Sequence, residues 1–259
     1  MRVPLHPDFL RLPVAHRALH DAGARRPENS LPAIRAAIRE GYAIEIDLQP
    51  SADGEAMVFH DDVLDRLTYE TGPINARTKD ELQRIRVRSS AEPIPTFRQV
   101  LDEVAGQVPL LVEIKDQSGN MGPTNGLLEA ATAAALQGYG GPVAVMSFNP
   151  SSVEHMQRLA PQIARGLTTY PFPRDHFPED IGPEMEAHRQ SLAAIADYDH
   201  VGASFISHLW RDLDNPRVAE LKAQGAAILC WTIRSAEDEA QARQVAENVT
   251  FEGYMADRT

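Results

Sequence analysis

The stretch Ala43-Ile44-Glu45-Ile46-Asp47-Leu48-Gln49 combines the pattern of a buried β-strand with two acidic side chains. Large aliphatic residues alternate with Glu45 and Asp47, and side chains two positions apart in a strand point to the same face. Unpaired carboxylates on a buried strand are costly, and their mutual repulsion pushes one of them toward protonation. The segment therefore predicts a central strand whose acidic face requires a compensating partner.

Seven further segments share its short, apolar, β-branched character. They are Pro13–His16, Pro109–Lys115, Pro142–Phe148, Ala164–Thr169, Val201–Ser207, Ala226–Ile233 and Phe251–Ala256. Segments with apolar residues three or four positions apart lie between most of them, which is the spacing of helices. Eight strands alternating with helices predict an α/β fold of the closed (β/α)₈ barrel type, the TIM barrel. An open doubly wound sheet is the alternative, although no GxGxxG or Walker loop follows the first strand.

The segment from Ser51 to about Pro95 interrupts this alternation. It is too long for an ordinary βα loop, and it holds a turn at Ser51-Ala52-Asp53-Gly54 and a short predicted strand at Met57–Phe59. We expect a small insertion after the second strand, over the mouth of the barrel. The sequence otherwise predicts a single domain over residues 1–259.

Composition narrows the function classes. The chain has 259 residues, 43% hydrophobic and 24% charged residues, and a formal net charge of −12. This charge argues against nucleic acid and anionic membranes as partners, and no apolar run is long enough for stable membrane insertion. The lone Cys230 excludes an internal disulfide and indicates a buried strand thiol. We expect a cytoplasmic protein of unknown oligomeric state.

A third carboxylate occurs in a similar setting, at Glu113 within the apolar segment Leu110–Lys115. Three carboxylates without cysteine favour a hard cation, Mg²⁺ or Ca²⁺, over zinc. The alternatives are buried ion pairs with Arg or Lys, or a solvent-facing Glu45 on an edge strand. The carboxylates Glu45, Asp47 and Glu113 are thus candidate metal ligands.

Two histidine dipeptides end predicted strands, at His16-Arg17 and His60-Asp61. Barrel enzymes draw catalytic groups from strand ends on one rim, and a histidine pair can act as base and acid in turn. Arg17 and Lys115 could then bind phosphoryl oxygens. Taken singly, each of these residues also fits a structural or ion-paired role.

The order of these motifs resembles the glycerophosphodiester phosphodiesterase family. The motifs are Ala15-His16-Arg17, Pro27-Glu28-Asn29-Ser30, Glu45-x-Asp47, Asp53-Gly54, Val58-Phe59-His60-Asp61 and Glu113-Ile114-Lys115. The likeness extends to the C-terminus through Cys230-Trp231-Thr232-Ile233 and Gly253-Tyr254-Met255-Ala256-Asp257.

The resemblance implies a barrel with one divalent cation and a paired-histidine mechanism. The metal ligands would be Glu45, Asp47 and Glu113, the acid/base pair His16 and His60, and the phosphate contacts Arg17 and Lys115. The small-molecule substrate would be a glycerophosphodiester: a glycerol hydroxyl attacks phosphorus, the alcohol leaves, and water opens the cyclic phosphate. The products would be glycerol 3-phosphate and an alcohol of unspecified head group.

Some positions depart from the family pattern or extend it. Ala18 stands where the family usually has glycine, and the segment Leu19–Arg26 is longer than is common. His20-Asp21 in this segment could contact substrate. His208, just past the sixth strand, and Trp231, on the seventh, are candidate substrate-binding residues. We expect Glu28 and Asn29 to fix the first helix rather than take part in chemistry.

Two other functions remain open at this stage. A barrel phosphodiesterase or lyase acting on lysophospholipids could use the same metal and histidines, and it would need an exposed apolar patch beside the mouth. A catalytically silent barrel could bind a phosphorylated ligand. Since both histidines and all three carboxylates are present, the sequence favours the enzyme.

Overall fold

Parallel pairing of strands closes a barrel in the computed structural model, which describes residues 2–178 and 180–258. In chain order the strands are β1 (Val14–Ala15), β2 (Ala43–Pro50), β3 (Ala56–Val58), β4 (Leu110–Ile114), β5 (Val143–Ser147), β6 (Ala164–Thr169), β7 (Phe205–Leu209), β8 (Ala227–Ile233) and β9 (Asn248–Phe251). Neighbouring barrel strands are parallel, and β1 pairs with both β2 and β9. These eight staves confirm the predicted (β/α)₈ barrel.

Helices flank the barrel between its strands. They are α1 (Leu31–Glu40), α2 (Lys79–Leu82), α3 (Phe97–Val104), α4 (Leu127–Leu136), α5 (Pro150–Leu159), α6 (Pro183–Ala193), α7 (Pro216–Ala223) and α8 (Ala236–Ala242). In α1 the side chain of Ser30 caps the first turn, and Gly41 ends the helix in the left-handed region at φ 70°. None of the helices in the described part of the chain has the length and apolarity to cross a membrane.

The amino ends of the strands enclose an apolar cluster. Leu111, Phe205 and Leu229 are fully buried there and pack with Phe9, which comes from a short 3₁₀ helix at Pro7–Leu10. This packing fills the barrel interior near the amino ends of its strands. The space for a site therefore lies toward the carboxyl ends of the strands, where barrel enzymes carry their sites.

The expected insertion follows β2. Its strand β3 pairs with β2 in antiparallel fashion, with Leu48 opposite Val58. The segment has a small hydrophobic cluster of its own, formed by Met57, Phe59, Leu64, Leu67, Ile74, Leu82, Val87 and Ile94. It is thus held by strand pairing at one end and by internal packing elsewhere.

Two predicted strands were misplaced by several residues. The sixth barrel strand begins at Phe205, because Val201 and Ala203 bond back to the carbonyls of Asp197 and Tyr198 in a turn. The last strand is Asn248–Phe251 rather than Phe251–Ala256. The buried Asn248 side chain donates to the carbonyls of Phe9 and Leu12. A polar residue therefore begins this strand because of a tertiary contact, which local sequence patterns do not reveal.

Candidate active site

Three buried carboxylates converge near the carboxyl ends of β2 and β4. Asp47 lies opposite Glu113 in the parallel register, and Glu45 lies two residues earlier on the same face of β2. One oxygen from each of the three groups lies within 4.8 Å of the others. All three residues are at most 6% exposed. The predicted ligands are therefore brought together.

The electrostatics of this trio call for a cation. Burial raises the pKa of Glu45 well above its usual range, and the charges of Asp47 and Glu113 raise it further. Burial also raises the pKa of Glu113, and the nearby Asp47 adds to the effect. A carboxylate-only donor set of this kind fits a hard divalent ion, whose charge would remove the repulsion. The residues present thus suit the cation that the sequence implies.

Lys115 supplies one positive charge to this trio. Its Nζ lies 2.7 Å from Oδ1 of Asp47 and 2.5 Å from Oε1 of Glu113. Although burial alone would lower it, the pKa of Lys115 is raised by these two carboxylates. Conversely, burial would raise the pKa of Asp47, but Lys115, His60 and Arg17 hold it below its usual range. The surrounding positive charges thus favour the ionised form of Asp47, whereas burial and its two acidic neighbours disfavour the ionised form of Glu45.

His16 directly follows β1, where its ring lines the central cavity. Its Nδ1 lies 2.6 Å from Oε2 of Glu252, the residue after β9. Burial lowers the pKa of His16, and the bond to Glu252 opposes that effect. With Nδ1 held by a carboxylate, the neutral ring has Nε2 free to accept a proton.

His60 has a matching arrangement on the insertion. Its Nδ1 lies 2.7 Å from Oδ1 of Asp61, and its ring lines the same cavity as that of His16. Burial lowers the pKa of His60, while the charge of Asp47 raises it. Two imidazoles, each held at Nδ1 by a carboxylate, thus line the cavity that Glu45 and Glu113 also line.

Arg17 and Ala18 form the turn that leads away from His16. Both adopt left-handed backbone, with φ 51° and 65°, and the backbone N–H of Arg17 donates to Oε2 of Glu45 at 2.7 Å. Glycine adopts this conformation without strain, so Ala18 keeps the turn but at a small conformational cost. The turn directs one backbone donor at a predicted metal ligand.

The Arg17 side chain enters a network of ion pairs. Its Nη1 donates to Oε1 of Glu28 at 2.7 Å. Glu28 also receives two hydrogen bonds of 2.8 Å from Arg66, which bonds both oxygens of Asp61 at 2.7 and 2.8 Å. Glu28 is therefore part of the surroundings of the site, and not only a residue that precedes the first helix.

Asn29 also has a role beyond the start of α1. Its Nδ2 donates to Oδ2 of Asp47 at 2.8 Å, and its Oδ1 accepts from the backbone N–H of Asp47 at 3.2 Å. The side chain thereby fixes the orientation of one predicted metal ligand. A left-handed Asn29 at φ 55° makes this double contact possible.

The cavity at the centre of these groups has a volume of about 260 Å³. It is lined by His16, Arg17, Glu45, His60, Glu113, Lys115, Met146, Phe148, Thr168, Trp231, Thr232, Arg234 and Thr250. The rings of Phe148 and Trp231 meet edge to face with centroids 5.4 Å apart, and Trp231 donates to the carbonyl of Ser207. Charged and apolar side chains thus line the same cavity, a combination typical of small-molecule sites.

The structure does not bring His208 to this cavity. It lies within β7 and is 1% exposed, and its two ring nitrogens contact Oγ1 of Thr169 and Oδ2 of Asp212. A ring engaged on both sides cannot reach a ligand without losing a partner, so the expected substrate contact lacks structural support. His20, in contrast, lies 3.5 Å from Oε2 of Glu252, beside the site.

Several residues at the site were not predicted from the sequence: Phe148 and Arg234 among those that line the cavity, and Glu252 and Arg66 among those that contact its charged side chains. Glu252 fell inside the misplaced last strand, although an acidic residue directly after a barrel strand would have been a usable signal. Arg66 lies in an irregular part of the insertion with no local pattern. Its contacts arise only when the insertion packs against the barrel.

Comparison with known proteins shows the family of this chain. Residues 16–257 match the model of the glycerophosphoryl diester phosphodiesterase family, which confirms the resemblance inferred from the motifs. Glycerophosphodiester phosphodiesterase 1 from Homo sapiens is 30% identical over 249 residues, covering 88% of this chain and 73% of that protein. The enzyme of the same name from Bos taurus is 27% identical over 250 residues, with coverage of 88% and 73%.

Solved structures share the barrel. A phosphodiesterase from Oleispira antarctica, in complex with its product sn-glycerol-3-phosphate, aligns with a TM-score of 0.74 at 24% identity over 93% of each chain. A glycerophosphodiester phosphodiesterase from Thermotoga maritima aligns with a TM-score of 0.68 at 19% identity, covering 93% of this chain and 94% of that one. At these identities the two likenesses concern the fold.

Proposed function

The chain belongs to the glycerophosphoryl diester phosphodiesterase family, and on that premise we propose that it hydrolyses glycerophosphodiesters to glycerol 3-phosphate and an alcohol, using one divalent cation and two histidines. The observation that supports this most directly is the placement of His16, His60, Glu45 and Glu113 around one cavity, with Asp47 beside the two carboxylates.

The three carboxylates are proposed to hold Mg²⁺ or Ca²⁺. When bound, such an ion supplies positive charge against the phosphoryl oxygens and so stabilises charge that develops in the transition state. The protein contributes the fixed geometry: Asn29 orients Asp47, and the backbone N–H of Arg17 orients Glu45.

The two imidazoles are proposed to move the protons. One ring accepts the proton of the glycerol hydroxyl as its oxygen bonds to phosphorus, and the other ring donates a proton to the alcohol oxygen as that bond to phosphorus breaks. In the second step water adds to the cyclic phosphate and the bond from phosphorus to the glycerol oxygen that had attacked breaks. The ring that gave up its proton in the first step accepts a proton from water, and the ring that gained one protonates the released glycerol oxygen. Each ring ends in its starting protonation state, so the cycle balances.

Basic and aromatic side chains are proposed to position the substrate. Arg17 keeps donors beyond the one bonded to Glu28, and both it and the Lys115 ammonium line the cavity beside the carboxylates. Such groups suit phosphoryl oxygens. Trp231, which lines the same cavity next to Phe148, suits the carbon skeleton of the glycerol or of the alcohol.

The lysophospholipid alternative lacks its expected feature. The large apolar side chains that are exposed in the described chain are Tyr69, Leu127, Leu159 and Met255. None of these four lines the cavity. A long acyl chain would require a larger apolar surface beside the mouth. Of the four, Met255 lines a pocket that Glu252 also borders, and a single exposed side chain is a small surface, so the smaller, water-soluble diesters are the favoured substrates.

The test is direct. The purified protein is incubated with glycerophosphocholine or glycerophosphoethanolamine and Mg²⁺ or Ca²⁺, and glycerol 3-phosphate is measured. We expect product with at least one diester, and none after chelation. Absence of product from both diesters with either ion would refute the proposed substrate class, and activity that survives exhaustive chelation would refute the cation.

A further inference from the structure

Arg66 is the one cation that bonds both to the carboxylate behind His60 and to the carboxylate behind Arg17 within residues 2–178 and 180–258. We infer that Arg66 is a positioning residue, through which the insertion sets the orientation of the acid/base imidazole and of the phosphate-binding guanidinium together. The inference rests on the proposed hydrolysis and adds to it a residue that does not touch the substrate.

Arg66 is connected to His60 through hydrogen bonds to Asp61. Arg66 donates from Nε to Oδ2 and from Nη2 to Oδ1 of Asp61, at 2.7 and 2.8 Å, in the two-pronged geometry that fixes a carboxylate plane. Oδ1 of Asp61 is also the atom 2.7 Å from Nδ1 of His60. The rotation of the Asp61 carboxylate, and with it that of the imidazole, therefore depends on the guanidinium.

Arg66 is connected to Arg17 through hydrogen bonds to Glu28. Nη1 and Nη2 of Arg66 donate to the two oxygens of Glu28, each at 2.8 Å, and Oε1 of Glu28 accepts from Nη1 of Arg17 at 2.7 Å. Arg66 thus uses all three of its nitrogens on two carboxylates. A planar, rigid fork can do this, whereas the single ammonium of lysine cannot.

The exposure of these groups indicates that Arg66 matters for the position of other side chains more than for the stability of the fold. The Arg66 side chain is 48% exposed, while Asp61 and Glu28 are 17% and 13% exposed. Ion pairs of an exposed cation contribute little to global stability, so the loss of Arg66 should leave the fold intact. The catalytic rate should be more sensitive to the loss of Arg66 than the stability is, because small displacements of catalytic groups lower rates strongly.

The chain offers a matched control in Arg35. It also bridges two glutamates, Glu92 at 2.7 Å and Glu103 at 2.8 Å, its side chain is 40% exposed, and it likewise ties the insertion to a barrel helix. Arg35 does not line the cavity. A purely structural role for such bridges would affect the Arg35 and Arg66 variants alike.

The experiment compares Arg66→Gln, Arg66→Lys and Arg35→Gln by kcat and KM on the glycerophosphodiester that the wild type hydrolyses. We expect Arg66→Gln to lower kcat by about 10- to 100-fold, Arg66→Lys to recover part of that loss, and Arg35→Gln to keep wild-type kcat. In an Asp61→Asn background, Arg66→Gln should cause a smaller loss in kcat than in the wild type, because the contact to His60 is already lost and the contact to Arg17 through Glu28 remains to be lost.

Each contrary result is informative. Wild-type kcat in Arg66→Gln, an equal loss in Arg35→Gln, or an undiminished loss in the Asp61→Asn background would overturn the positioning role. Inactivity of the wild type toward all glycerophosphodiesters would instead refute the proposed function. The two failures are therefore distinguishable.

Discussion

Nδ1 of His16 lies 2.6 Å from Oε2 of Glu252, so the residue after the last barrel strand orients an imidazole at the end of the first. The two strands, β1 and β9, are neighbours only because the barrel closes. Glu252 also accepts from Nε of Arg234 at 2.8 Å, which leaves the carboxylate fixed between two basic groups. His16 therefore has a defined tautomer and direction.

Glu252→Gln should lower kcat/KM and shift the pH profile. The carboxylate raises the pKa of His16 against the effect of burial, so its removal should lower that pKa further. Whichever limb of the kcat/KM profile reports His16 should move to lower pH, with a loss at the optimum of about 10-fold or more.

Glu154→Gln is the control for this variant. Glu154 contacts Arg158 and His200 on the surface, away from the cavity, and its loss should leave the profile unchanged. A Glu252→Gln enzyme whose limbs stay in place, or move to higher pH, would contradict the assigned pairing.

His16→Ala and His60→Ala should each lower kcat by at least about 100-fold, because each removes one of the two proton-transfer groups. Both rings are at the cavity surface, so the variants should keep the far-UV circular dichroism and thermal transition of the wild type. His200→Ala, which alters an exposed histidine paired with Glu154, serves as the control. Near-normal turnover in either cavity variant would remove that residue from the mechanism.

Glu45→Gln should abolish tight metal binding and stabilise the metal-free protein. The loss of a direct ligand should weaken binding by more than the roughly 10- to 100-fold typical of outer-shell partners. Without metal, the neutral amide no longer repels Asp47 and Glu113. In chelator at neutral pH the variant should therefore melt at a higher temperature than the wild type, by a few degrees for each kcal/mol gained, as about 2–4 °C per kcal/mol is typical at this size.

The pH dependence of this difference follows from the sign of the Glu45 shift. Its pKa in the folded protein is raised by burial, so its contribution to stability is complete below the unfolded value and is lost as pH rises through the folded value. The gap in melting temperature should thus be small in mild acid and grow toward neutrality. Addition of the divalent cation should raise the melting temperature of the wild type. The control Glu129→Gln, a change at a fully buried carboxylate on α4, should show the same rise. A metal-induced rise in Glu45→Gln equal to that of the wild type would contradict the ligand assignment.

Trp231→Phe should raise KM roughly 3- to 10-fold with a smaller change in kcat. The change removes the indole N–H bond to the carbonyl of Ser207 and reduces the aromatic wall, and aromatic contacts of this kind are worth about 0.5–1.5 kcal/mol. Trp210→Phe is the matched control, because Trp210 lies beside Arg211 outside the cavity. An unchanged KM in Trp231→Phe, or the same rise in both variants, would exclude a specific contact between Trp231 and the substrate.

Local sequence patterns were sufficient to predict the two strands that carry the acidic trio. Alternation of aliphatic and acidic residues in Ala43–Gln49 placed Glu45 and Asp47 on one face, and β2 extends over Ala43–Pro50. The strand containing Glu113 was predicted at 109–115 and observed at Leu110–Ile114. Side-chain alternation is a property of the single strand, so no tertiary information was needed.

The sequence by itself thus determined the barrel, the acidic strand pair and the two histidines at strand ends, because periodicity and strand-end position are local properties. Only the tertiary structure decided that Glu252 holds His16, that Arg66 joins Asp61 to Glu28, and that His208 is buried away from the cavity. Barrel closure and docking of the insertion bring together side chains up to 236 positions apart. Contacts over such separations depend on the packing of the whole chain, which no single segment encodes.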